Sequence, residues 1–207
     1  MSAPASPLPG SYRWALVVAV VMGFQVALSA AFDVQAALNH DVPPPLSDAA
    51  YPGLGLSPLA QRNLMLAASS GYQSALSAML PWRPITSALL AAAAGLVFIM
   101  AMRLRISPEG RASTALWLGR ASLAAAVLRS IDGAENLVIV RTMMDQVSKA
   151  VVLEGVPEAA AAGAVGSVLG SVMTGGWTLA VVAAFVTLGN YFRSKTLRSA
   201  LERVEPS

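Results

Sequence analysis

The segment Arg129 to Arg141, RSIDGAENLVIVR, sets Arg129, Asp132, Glu135 and Arg141 into a chain that is 56% hydrophobic and 12% charged. Two carboxylates beside a guanidinium suit three tasks: passing a proton, holding a cation or polar solute, or pairing internally to fix a helix. On a helix at 100° per residue, Ser122, Arg129, Asp132 and Asn136 fall within an arc of about 80°, and Glu135 lies some 60° beyond Asp132. Arg129 and Asp132 are i,i+3 neighbours and can pair. Arg120, Arg141 and Asp145 fall off that stripe. Gln25, far upstream in an apolar run, is expected to hydrogen-bond to the same polar face.

Enzymatic chemistry has little to stand on. There is no Cys and a single His, His40, so thiol nucleophiles, thiolate metal sites and multi-histidine metal or haem sites are not expected. G-x-S-x-G, H-E-x-x-H and P-loop patterns are all missing. Paired acids can do acid–base work, but here they sit beside an arginine without a nucleophile or metal ligands. The expectation is a protein that is not an enzyme, with no cofactor, no metal and no nucleic-acid partner.

The elements that must position these charges are apolar. The chain has 207 residues, a mean hydropathy of +0.61 and Phe, Trp and Tyr at 6%. That composition favours membrane helices over a β-barrel with its aromatic girdles. Four stretches present themselves as spans, about 14–34, 85–104, 114–141 and 176–193 of a single membrane domain covering 1–207. A helix needs about 20 residues to cross a hydrocarbon core of about 30 Å. The first stretch also resembles a signal peptide at Ser29-Ala30-Ala31. Its length and single upstream charge, Arg13, favour an uncleaved anchor.

Arginines and lysines set the expected orientation. Arg103, Arg105 and Arg111 lie between the second and third stretches, and Arg193, Lys195, Arg198 and Arg203 follow the fourth. The connections 35–84 and 142–175 carry few cations. Both termini are therefore expected in the cytoplasm of a multi-pass inner-membrane protein, with both long connections outside. The partners expected are the lipid bilayer and other membrane subunits or further copies of the chain. The basic tail should lie as a short amphipathic continuation on the inner surface.

The outer connections carry structure of their own. Residues 40–56 are rich in Pro and Gly and should be irregular. Ser57-Pro58 offers an N-cap followed by proline at the first helical position, and a helix should run to about Leu80. Pro81-Trp82-Arg83-Pro84 must break the chain, with Trp82 and Arg83 at the outer headgroups. A small-residue helix starts near Pro157, and Ala162, Gly166 and Gly170 form a ridge on which another helix could pack closely. The whole is read as an all-α, four-span bundle extended on the outer face.

Energetics make the third stretch dependent on its neighbours. A charge at a helix centre costs about 2.5–3.5 kcal/mol on the insertion scale, and each Leu or Val returns about 0.3–0.6. The polar face must therefore look inward. Its first reading is structural, within an accessory or structural subunit of a membrane complex. The alternative is an ion, proton or small-solute site for transport or sensing, and two carboxylates against one arginine lend it some weight.

Overall fold

A computed structural model describes residues 8, 10–39, 58–107, 110–153 and 157–204. Every element among them is helical: α1 Gly10–Asn39, α2 Pro58–Met79, α3 Trp82–Ile106, α4 Arg111–Leu153, α5 Pro157–Arg193 and α6 Lys195–Val204. Three apolar segments are long enough to cross a membrane: Gly10–Leu38, Trp82–Ile106 and Gly166–Arg193. The last takes in residues upstream of the expected span at 176, among them the exposed Val168, Leu169, Val172 and Met173. The expected span 114–141 lies inside the 43-residue α4 and is not among the three. Arg120, Arg129, Asp132, Glu135 and Arg141 dilute its apolar character. The irregular segment 40–56, with His40, lies outside the described residues.

The chain forms two compact units, and α1, α3, α4 and α5 supply residues to both. Unit 1 comprises Met1–Phe32, Thr86–Ser130 and Leu179–Ser207. Its core sets alanines (Ala19, Ala94, Ala101, Ala115, Ala125) against a few large side chains, Phe185, Phe192, Leu90 and Leu118. Such small faces let helix backbones approach closely. A Cβ at Gly23 would stand 2.8 Å from the Phe98 nitrogen and 3.0 Å from the Ala94 oxygen, so α1 meets α3 at backbone distance. Gly119 and Gly189 do the same for α4 and α5: a Cβ on either would approach the other's carbonyl oxygen, at 2.9 and 3.2 Å.

One end of unit 1 gathers the helix termini. Ser11 Oγ at the start of α1 lies 3.0 Å from the Tyr191 hydroxyl at the end of α5, and the Tyr12 ring meets Phe192 edge-on at 6.4 Å. Helix α6 begins there. Ser194 caps it, its Oγ accepting from the Leu197 N–H at 3.3 Å. Although α6 is strongly amphipathic, its apolar side is not spread on a surface: Leu197 and Leu201 are buried in the core of unit 1.

Unit 2 comprises Asp33–Ile85 and Ile131–Thr178. Helix α2 starts at Pro58 and stops at Met79, close to the expected limits. It packs on α4 through Gly71, where a Cβ would come within 2.8 Å of the Met143 Cα. Pro81 lies in the turn after α2, and Pro84 sits in the first turn of α3, where its missing N–H costs nothing. At Gly166 and Gly170 the small-residue ridge makes no close approach. A Cβ at Gly166 would meet open space, and one at Gly170 would make only an ordinary contact with Val140 at 3.5 Å. The tight contact of α5 with α4 lies elsewhere, where Gly133 leaves room for Thr178.

Gly23→Ala should lower the melting temperature in detergent by several degrees, since the added methyl meets backbone and overpacking costs about 1–3 kcal/mol. Gly95→Ala on α3 adds its methyl to open space and should be neutral or slightly stabilising. Equal effects of the two substitutions would contradict the close α1–α3 approach.

Candidate functional site

The polar residues of α4 that fall in unit 2 converge on a side chain from another helix. Asp132 is fully buried. One turn on, Asn136 Nδ2 donates to Asp132 Oδ2 at 3.2 Å, the i,i+4 spacing a helix provides. Arg83 Nη2, from the first turn of α3, donates to Asn136 Oδ1 at 2.9 Å. Its Nη1 lies 3.7 Å from Glu135 Oε2, an ion pair with side chains 5% and 17% exposed. One guanidinium thus clamps two successive residues of α4, and the Asn136 amide relays the contact to Asp132.

Arg83 corrects the sequence reading. It was expected at the outer headgroups with Trp82, and only Trp82 is exposed; Arg83 is 4% exposed. The proline pair explains the difference. Pro81 lies in the turn between the helices and Pro84 sits inside the first turn of α3, so Trp82 and Arg83 open that turn. There the backbone faces Trp82 outward and Arg83 inward. A long cation beside two prolines carries no signal of its own burial, so α4's polar face could be seen from sequence and its partner could not.

Gly133 and Thr178 belong to the same neighbourhood. Thr178 of α5 is buried, and its Oγ1 would lie 2.8 Å from a Cβ at position 133. The missing side chain beside Asp132 therefore lets α5 close on α4 at the level of the buried carboxylate. Asp33 of α1, half-buried in the same unit, is a further acidic group that the sequence reading did not weigh.

The other expected participants lie in unit 1. Arg129 is half-buried on α4, three residues before Asp132. Ser122 is fully buried and donates to the Leu118 carbonyl of its own helix at 2.9 Å. Gln25 is exposed on α1 and lines an open, apolar groove of about 690 Å³ with Phe24, Leu28 and Phe98. Arg120, Arg141 and Asp145 are exposed, as their placement off the polar stripe implies. Arg120 stands 5.1 Å from the Trp117 ring centroid, and Asp145 pairs with Lys149 at 2.7 Å.

Chemically, the cluster is an arginine held by an amide and a carboxylate, with a second carboxylate behind the amide. No group of three or more His, Cys, Asp and Glu residues suited to a metal ion occurs among the described residues. The arrangement suits rigid interhelical pairing, and its groups are those a proton or a small polar solute would also use.

Arg83→Met should destabilise the protein by about 3–5 kcal/mol, the usual cost of removing one partner from a buried charged pair. Arg62→Met, on an exposed site of α2, should stay within about 0.5 kcal/mol of the parent. Chemical denaturation in mixed micelles compares the two; similar small effects would refute the clamp.

Neither a family model, nor a curated protein, nor a solved structure matches this chain.

Proposed function

We propose that the chain is a non-enzymatic, four-span inner-membrane protein that serves as an accessory or structural subunit of a membrane complex. On this reading, it is one membrane domain, and α4 is the fourth span, inserted together with its neighbours. The exposed face of α4 supports this. Trp117, Ala124, Val127, Ile131, Ala134 and Val138 are all exposed and lie within about 100° of one another. They extend over about 32 Å of helix, close to the thickness of a hydrocarbon core. A helix with charges towards its partners and an apolar stripe outside is what insertion energetics demand.

The observation that carries the structural role is the Arg83 clamp. Its guanidinium is buried, hydrogen-bonded to Asn136 and ion-paired to Glu135. The sequence counted one arginine near these carboxylates; Arg83 is a second. That weakens the surplus negative charge on which a transport reading drew. Fixing helix register is the best-attested use of buried polar groups. The transport or sensing reading keeps one specific support, the fully buried carboxylate of Asp132.

Purification in mild detergent separates these readings. An accessory subunit should co-purify with a larger membrane protein in fixed stoichiometry. A monodisperse assembly of this chain alone would contradict that role and favour transport or sensing.

On this reading both termini are cytoplasmic, which the distribution of Lys and Arg supports. The chain has no Cys, so single cysteines report cleanly. In intact cells a membrane-impermeant maleimide should label Ser70→Cys, at an exposed position of α2, and should reach Ser199→Cys of α6 only after permeabilisation. The reverse pattern would invert the topology.

A further inference from the structure

The cations of unit 1 concentrate where its helix ends meet. Arg13 is near the start of α1, Arg103 and Arg105 are in the last turn of α3, and Arg193 ends α5; all are exposed. Contacts bring ends together: Ser11 to Tyr191, Tyr12 to Phe192, and Gly119 to Arg193, whose Cγ would stand 2.6 Å from a Cβ at position 119. Arg111, at the start of α4, is an electrostatic neighbour of Tyr12. Among the described residues of unit 1, the acidic counterpart is Glu202 alone. Among those described residues the cations of this end outnumber the carboxylates.

Helix α6 decides what this charge faces. An amphipathic helix at a membrane surface ordinarily sinks its apolar face among the acyl chains. Here that face is consumed, with Leu197 and Leu201 buried against α-helical partners in the core. What α6 offers its surroundings is Lys195, Thr196 and Arg203, all exposed. Arg198 adds a second observation: its Nε is buried and has no hydrogen-bond acceptor among the described residues. The Tyr12 hydroxyl, beside Arg111, is likewise buried without a partner. Both are donors in want of an acceptor, at an end rich in cations.

We infer that this end of unit 1 binds the phosphate headgroups of anionic phospholipids, with α6 as a docked basic flap whose cations contact the headgroups. The inference rests on reading α1, α3 and α5 as membrane spans, which sets these helix ends at the depth of the headgroups. Phosphate oxygens supply acceptors for the exposed guanidinium groups of this end, and arginine is suited to them by its planar fork. Attraction to anionic lipid grows with each cation near the surface. The site differs from a mere topology signal because the flap is held by packing, so its charges are fixed in place.

The full chain in neutral detergent, titrated with micelles doped with phosphatidylglycerol or with phosphatidylcholine, tests this by native mass spectrometry. Retained phosphatidylglycerol should exceed phosphatidylcholine by at least about tenfold. Lys195→Gln with Arg198→Gln and Arg203→Gln should abolish that preference. Arg62→Gln with Arg141→Gln and Lys149→Gln, which removes as much charge from unit 2, should keep it. Equal retention of the two lipids, or an equal loss in both variants, overturns the inference. A melting curve for each variant shows whether it is folded; should the α6 variant unfold, Lys195→Gln with Arg203→Gln, both at exposed positions, replaces it and must lower the preference. Carbonate extraction of membranes separates the two levels of the argument. Protein that resists extraction but shows no lipid preference sinks this inference alone; protein released by carbonate sinks the membrane reading with it.

Discussion

A charge in an apolar setting must be answered by another group, and in unit 2 Arg83 and α4 answer one another. Burying a guanidinium away from water without acceptors for its N–H groups is costly. The clamp offsets that cost by giving the guanidinium an amide oxygen at 2.9 Å and a carboxylate at 3.7 Å. Because both acceptors sit on one turn of α4, the pairing fixes rotation as well as contact. A one-residue slip of α4 would carry Asn136 through about 100° and break it. Apolar packing tolerates such a slip far more easily.

The glycines and alanines are the other half of the same constraint. Helices in lipid gain little from burying apolar surface on one another, so close backbone approach must supply the attraction. Gly23 against Phe98, Gly119 against Gly189 and Gly71 against Met143 provide it within the individual units. Gly133 combines both devices, since it admits Thr178 next to the turn that carries Asp132. Where the chain needs polar pairing, it also removes a side chain to make room.

Much of the fold was legible in the sequence, for identifiable reasons. Long apolar runs with charged flanks mark α1, α3 and the latter part of α5, and Ser57-Pro58 with Pro81 bounds α2 within a residue or so. The polar stripe of α4 follows from helical periodicity, which puts Asp132 and Asn136 on one face, although the pair read from it was Arg129 with Asp132. What was not legible depends on the partner helix. Arg83 reads as an interfacial snorkelling residue because a cation beside Trp82 and two prolines usually is one; only the direction of the first turn of α3 turns it inward. The ridge near Gly166 carries little signal for the opposite reason: small residues permit close packing without requiring it, and at Gly166 and Gly170 the chain does not use it. Helix α6 showed its amphipathic pattern plainly, yet pattern alone does not say whether the apolar side meets lipid or protein. A similar limit applies to Gln25, whose polarity in an apolar helix gave no hint of its exposed position by Phe98.

The central claim is that Arg83 and α4 are energetically coupled, beyond being adjacent. A double-mutant cycle with Arg83→Met and Asn136→Leu, read as unfolding free energy in bilayer-like micelles, measures that coupling directly. Both single variants should be destabilised and the double variant should recover part of the loss, because it leaves no buried guanidinium without its amide acceptor. The expected coupling is about 1–3 kcal/mol, the range found for residues in one buried network. Additive effects, with a coupling below about 0.5 kcal/mol, would contradict the clamp.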